Sequence, residues 1–501
     1  MPLLPPFIAN RGHFRSYKTI SMKFLLSTLG LFFSVFLVSA QAQQLVTYNA
    51  PDTLRPSEMF QVKINGKVLF VYQNEVSSLA YFSFAGKAEV EITTTHDVKW
   101  ADIRPKNLNI APLFGDHTVK FSIDRPCSLS VELNGEITRP LYLFAAPLET
   151  NRPAPNDPKV RYFEGGKVHD VGQIRLKSDE TIYIAGGAIV RGTIVANDVK
   201  NIKIKGRGIL DGTYVKEQMV QLNRCENAEI EGIIFLNSPG WTVVPRHCNS
   251  LTVKNIKQVC WRNGSDGLDL VATSHVRVSD SFFRNNDDNI VLKCWGGDEK
   301  YPKNAPQGPD MSDIAITNSV FWNMPWGNAL EIGFELRCGK VSDVRFTNCD
   351  LIHVERGAAF SIHNGDNATV ENVLYENIRV EDAMHKLIDL AIFLSQYSLD
   401  RLATDAERKQ RYMQGAWDGV TVVTDAQKAQ YAVNRGRIKN IVFRNIAVTD
   451  GQFPYSIISG YDANHLVEDV LIENLTIHGK RIKNAKEGRF FIENATNVRF
   501  K

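Results

Sequence analysis

The feature that most restricts this chain is a short unit, apolar-x-apolar followed by Asn or Asp and a second short strand, repeated from about Val160 onward. Its first positions fall at Ile202, Ala228, Leu251, Val276, Ile314, Val344, Val373, Ile441 and Val470, with steps of 26, 23, 25, 38, 30, 29, 68 and 29 residues. Strict alternation sends side chains to opposite faces, a pattern that excludes a helical repeat. A period in the twenties, with two or three short strands per unit and no helix between, predicts a right-handed parallel β-helix whose coils bury their apolar faces against one another. Leucine-rich repeats share the period but need a regular Leu/Asn consensus, which is absent here.

The long steps locate insertions near 296–311 and 383–437. The first is GGDEKYPKNAPQGPDM; the second contains LIDLAIFLSQYSLDRLATDAERKQRYM, whose spacing and good helix formers predict a helix. Either insertion can wall a groove, or the second can pack on the solenoid's side. Residues 43–148 read as short alternating strands separated by Gly, Asn, Asp and Pro, the pattern of a small β-sandwich. The stretch 149–159, ETNRPAPNDPK, has three prolines and no periodicity and reads as a linker before the β-helix of 160–501. The fold class expected is all-β. Within 1–42, Lys23 precedes an apolar run from Phe24 to Val38 and then Ala40-Gln41-Ala42, the small-x-small form of a signal peptidase site. The run is short of the ~18 apolar residues a membrane span needs. Cleavage after Ala42 and export to the periplasm or the exterior are therefore expected, with no membrane partner after cleavage; Met22 is an alternative start.

A net charge of +3 without a run of five basic residues gives no footprint for nucleic acid. Cys127, Cys225, Cys248, Cys260, Cys294, Cys338 and Cys349 form no CxxC pair, so zinc is not expected, nor any other cofactor. Cys225 and Cys248 lie one coil apart and can stack or bond, buried thiols being the plainer reading. No pattern speaks to oligomeric state.

Chemistry concentrates in NGSDGLDLVATSHVRVSDSFFRNNDDNIVLK, from Asn263 to Lys293. Asp266 and Asp287 are 21 residues apart, about one coil, which sets Asp266 beside Asp287 and Asp288 on the next rung, about 4.8 Å away. Crowded carboxylates cannot all ionise, so one holds a proton while another stays charged. Glycoside hydrolysis needs that division: an acid for the leaving oxygen and a base for water. Asp287 and Asp288 would face opposite ways in a straight strand, so a bend is expected after Asn285-Asn286. Two other readings use the same residues. A calcium-dependent polysaccharide lyase would bind the ion through the cluster and add an Arg or Lys base. A non-catalytic carbohydrate-binding solenoid would not need carboxylates on neighbouring rungs.

S-D-G-L-D followed by R-N-N-D-D-N-I-V-L-K resembles the N-T-D-G-x-D and D-D-x-I-x-I-K motifs of polygalacturonases, glycoside hydrolase family 28. The resemblance covers the solenoid in pattern and Asn263 to Lys293 in detail. It implies a pectin-lyase-like β-helix and a secreted hydrolase of polysaccharides or oligosaccharides, with catalytic Asp266, Asp287 and Asp288. Asp287 resembles the general acid, Asp266 and Asp288 the pair that activates water for inversion, and Asp269 a supporting aspartate. Two motifs depart: Trp326-Gly327-Asn328-Ala329 stands where Gly-His-Gly is expected, and VERGAAFSIHNGD offers Arg356 and His363 in place of Arg-x-Lys. A uronate clamp needs such a cation. The layout, a sandwich before a β-helix, resembles the dextranase and isopullulanase family, family 49, which cuts neutral α-glucans, so the sugar stays open. Inversion is implied by the resemblance and not by spacing, since inverting carboxyls usually stand ~6.5–9.5 Å apart.

Substrate contacts are expected from Asp269, Lys293, Trp295, Trp326, Asn328, Glu331 and His363. Trp241, Trp261, Trp295, Trp322 and Trp326 flank the aspartates, and an aromatic face can stack on a sugar ring or fill a core. Trp295 and Trp326 are best placed. Glu331 and Glu335 alternate in NALEIGFEL, His363 can replace the missing motif histidine, and Lys293 can orient a carboxylate or touch substrate.

Overall fold

A computed structural model of the chain describes residues 44–297, 305–401 and 425–501. The leader lies outside the described residues, as do 298–304 of the first insertion and 402–424 of the second. Residues Ala42–Lys501 form one compact unit.

The alternating N-terminal segments make two sheets. One orders Gln44–Thr47, Ser78–Ala85, Glu136–Pro147, Cys127–Leu133 and Ala101–Arg104; the other orders Lys67–Leu69, Phe60–Ile64, Ala88–Thr94, Thr118–Ile123 and Leu113–Gly115. Their pleats send Val62, Ile92 and Val119 from one sheet and Phe82, Val131 and Leu143 from the other into a shared core. No strand lies between Pro147 and Val160.

From Val160–Phe163 to Arg499–Phe500 the strands form a parallel β-helix. The repeat positions stack in register: Ile202 on Ala228, Ala228 on Leu251, Leu251 on Val276, Val276 on Ile314, Ile314 on Val344, Val344 on Val373, Val373 on Ile441, and Ile441 on Val470. This column is buried in the core. A slip of one residue would turn it to solvent, which is why the apolar pattern fixes register. At the coil corners Asn residues take positive φ and bond to their neighbours in the next coil: Asn227 Nδ2 donates to Asn201 Oδ1 at 2.8 Å, and Asn348 Nδ2 to Asn318 Oδ1 at 2.7 Å. All seven cysteines are thiols; Cys225 and Cys248 stack inside the solenoid.

The second insertion differs from expectation. Lys386–Ile392 is a strand, paired with Ala358–Asn364 and Tyr455–Ser459, and the described helix is Asp425–Ala432. Ile388, Leu390 and Ile392 alternate into the core, and a short apolar run satisfies both periods until its neighbours decide.

The sandwich packs on one outward face of the solenoid. Tyr81, Tyr142 and Phe144 meet Ile234, Phe282, Trp322 and Ile352. Beside this apolar patch lies a buried ionic group. Arg104 binds Glu132 at 2.9 Å and Glu381 at 2.7 Å, while His353 contacts Glu132 at 3.1 Å and Asp382 at 3.2 Å. Burial pulls the His353 pKa down, but the hydrogen bonds its ring donates to Asp382 and Glu132 outweigh this and raise it to about 9.

Candidate active site

Strand Phe282–Asn285 stops at a bend and the next strand begins at Ile290, so Asp287 and Asp288 escape the pleat that would part them. Side-chain amides lock the bend. Asn286 Nδ2 donates to Trp261 O at 2.8 Å and to Asn263 Oδ1 at 2.9 Å; Asn323 Nδ2 donates to Asp287 O at 2.9 Å. Gly327 sits against it at φ +65°, where a Cβ would lie 2.3 Å from Asp288 N and 2.5 Å from Asp287 Oδ1. No larger residue fits there.

One coil earlier, Leu268–Val271 pairs with Ile290–Cys294, and Gly267 N–H donates to Asp288 O at 2.8 Å. That pairing brings the trio together: one oxygen each from Asp266, Asp287 and Asp288 lies within 4.8 Å of the others. Asp266 and Asp288 are buried, while Asp287 is half-buried and faces outward most. Lys293 Nζ lies 3.3 Å from Asp266 Oδ2 and 3.2 Å from Asp269 Oδ1, over the Trp241 ring at 4.0 Å. Its charge offsets part of the cluster's repulsion. Asp288 Oδ1 accepts the Asn328 backbone N–H at 2.7 Å. Burial first, then Asp287, Glu331 and Asp266, push the Asp288 pKa well above the carboxylate range, against the pull of Lys293. Burial and its neighbours thus drive Asp288 toward its protonated form.

Behind the trio runs a second layer. Glu331 is fully buried and accepts from Ser361 Oγ; His363 Nδ1 lies 3.0 Å from Glu331 and its Nε2 3.2 Å from Asp389, which Lys386 also binds at 2.5 Å. Burial lowers the His363 pKa, but Glu331 and Asp389 outweigh it and raise it to about 9, so the ring is an imidazolium. Asp389 is in turn held down at about 2 against the effect of its burial by His363 and Lys386. The His363 ring stacks on Phe334, centroids 4.9 Å apart.

The expected substrate contacts sort into two groups. Trp326 is 49% exposed beside the bend, with the Arg356 guanidinium 5.8 Å from its ring centre, and suits a platform. Trp295 does not: it is fully buried with Trp241, Val244 and Val271, and Ala305 and Leu399 pack in the same cluster. Trp241 and Trp322 are buried too, whereas Trp261 is half-buried. Asp269, Lys293, Glu331 and His363 are buried supports of the trio and not its surface, their charges being matched within the protein. Asn328 positions Asp288 by its backbone, while its side chain accepts the Ala358 N–H at 2.8 Å. Glu335 is buried close to Lys293, and burial raises its pKa.

Tyr397 was not signalled by any motif. It is 40% exposed on the turn after Lys386–Ile392, its ring 5.5 Å from Phe334. Burial of its hydroxyl, then the charges of Asp287 and Glu335, raise its pKa, so it shares the electrostatic surroundings of the trio. A lone aromatic after an apolar strand carries no sequence signal for such a place.

As a metal centre the trio offers three carboxylate oxygens, a hard donor set. Calcium takes six to eight oxygens. Lys293 already supplies a cation to Asp266, so the donor set fits calcium poorly.

A β-helix with paired aspartates on adjacent coils defines the class, and comparison with known proteins narrows it. Residues 166–396 match the family described as glycosyl hydrolases family 28. A probable endopolygalacturonase D of Neosartorya fischeri is 23% identical over 237 residues, covering 46% of this chain and 43% of that protein. An endo-polygalacturonase of Pectobacterium carotovorum is 19% identical over 239 residues, covering 46% and 52%. The chain thus spans about half the length of the curated relatives it matches. In fold it is similar to Dex49A from Penicillium minioluteum, with TM-score 0.64 and 16% identity over 91% of this chain and 96% of that one. The family 28 match thus falls within the β-helix, and the fold as a whole is similar to that of Dex49A.

Proposed function

We propose that this protein is a secreted glycoside hydrolase that cleaves O-glycosidic bonds of a polysaccharide or oligosaccharide by an inverting aspartate mechanism. The observation that carries the reading is the trio of Asp266, Asp287 and Asp288, oxygens within 4.8 Å, held on adjacent coils against a buried lysine. A fold under selection for stability alone gains nothing from that crowding.

In this reading Asp287, the most outward carboxyl, donates its proton to the leaving oxygen, while Asp266 and Asp288 together take a proton from water. Substrate covering the bend strips water from Asp287 and raises its proton affinity, so the proton held on Asp288 at rest passes to Asp287. Asp288 is then ionised and can take the proton from water as that water attacks the anomeric carbon and the bond to the leaving oxygen breaks. Trp326 and Tyr397 flank the trio as sugar platforms. The buried Glu331–His363–Asp389 layer keeps the floor rigid.

The test is a reducing-sugar screen over dextran, pullulan, polygalacturonate and rhamnogalacturonan, with ultraviolet absorbance recorded. Hydrolysis without an unsaturated product, and an inverted anomer by NMR, is expected. An absorbing product would make the protein a lyase and overturn the proposal. Export is tested by the N-terminus of the mature protein, expected after Ala42.

A further inference from the structure

A cleft of about 920 Å³ opens where the sandwich meets the coils that precede the trio. We infer that this cleft is a second saccharide-binding region, built jointly by the sandwich and the β-helix, that holds sugar units remote from the bond being broken. The inference rests on the hydrolase reading for its catalytic end, but the cleft makes its own case.

Its solenoid wall is a fixed ladder across three coils. Trp261 Nε1 donates to Asn237 Oδ1 at 3.3 Å; Asn237 Nδ2 donates to Asp211 Oδ1 at 3.1 Å and to Thr213 Oγ1 at 3.0 Å. Trp261 is thereby held half-buried, with the Arg262 guanidinium 5.7 Å from its ring centre. The sandwich wall brings the exposed Arg55 and Arg139, together with Glu58 and Glu75. A rigid indole bordered by planar polar groups of both signs is the chemistry that recognises a sugar chain: apolar ring faces stack, and hydroxyls or carboxylates meet the guanidinium forks.

The cleft's indole is also tied to the bend beside the trio. Trp261 O accepts from Asn286 Nδ2 at 2.8 Å, so the platform's backbone is bonded to the bend that carries Asp287 and Asp288. Asp266 follows Trp261 by five residues in the same connection. A chain lying over Trp261 is thus held by the same connection that carries Asp266.

Trp261→Ala and Arg139→Ala test this, the second at an exposed site on the sandwich that touches nothing in the trio. Binding of dextran and polygalacturonate oligosaccharides of two to eight units is measured to the Asp287→Asn protein with and without these changes, and kcat/KM against chain length to the active protein. Trp261→Ala should weaken longer chains about tenfold, corresponding to loss of one stacked contact. Arg139→Ala should weaken them several-fold, both should leave the shortest chains unchanged, and Trp261→Phe should restore binding. Preference for one ladder tells whether the forks hold carboxylates or hydroxyls. Equal loss at every length, or no loss, overturns the inference even where hydrolysis is found. Retained length-dependent binding without any hydrolysis overturns the hydrolase reading and leaves the cleft.

Discussion

Asp288→Asn should make the protein more stable and inactive. The amide keeps an oxygen for the Asn328 N–H, 2.7 Å from the present carboxyl, so geometry survives while the ionisable group goes. Charging Asp288 beside one ionised carboxylate no farther than 4.8 Å away would cost about 3.5 kcal/mol at an effective dielectric near 20, so the folded protein holds a proton that the unfolded chain has released. Lys293 at 3.3 Å from Asp266 offsets part of this. A net gain of about 1–3 kcal/mol at neutral pH follows, read as a rise of a few degrees in Tm. Its pH dependence is specific. Asp288 binds its proton more tightly folded than unfolded, so ionising it costs stability; the cost starts as pH climbs past 3.8 and is complete only above the raised folded pKa. Melting curves of variant and wild type should therefore coincide in acid and separate toward neutrality. A variant less stable than wild type at pH 7, or a Tm difference that ignores pH, would refute the claim that Asp288 is the protonated and strained member of the trio. Retained turnover would refute its part in water activation.

Asp287→Asn should lower kcat by about 10²–10⁴-fold with Tm and oligosaccharide binding intact, as measured by turnover, calorimetry and titration. Trp326→Ala should raise KM with little change in Tm, since the ring is 49% exposed, whereas Trp295→Ala should cost about 3–5 kcal/mol in denaturant unfolding. His353, raised to about 9, lends the sandwich junction stability that is full below pH 6.5 and lost as pH rises through about 9. The Tm advantage of wild type over His353→Gln should shrink across that window.

The solenoid was legible because its core is a one-dimensional column: Ile, Val and Leu at eight successive steps predict pairs that the strands then make. The trio was legible for the same reason, one coil being about 21 residues there. Burial of the outer face was not. Asp269, Lys293, Glu331 and His363 carry charge and so read as surface, but each is paired inside, and pairing across coils, between residues 24 and 32 apart, leaves no local pattern. Trp295 failed likewise, since its cover comes from Leu399, far along the chain. The strand at Lys386–Ile392 was misread because four apolar residues in six fit either period.

Tyr142 touches Phe282 and Trp322, with ring centroids 5.3 and 6.1 Å away, on two consecutive coils, and Ile352 on a third lies in the same apolar patch. A solenoid without such a strap unzips from its ends, coil by coil. Here the sandwich splints the middle, so amide exchange should be slowest in the very coils that carry Asp287 and Asn328, and terminal coils can fray on warming while turnover continues. Loss of any activity on heating should then follow detachment of the N-terminal domain and not melting of the repeat.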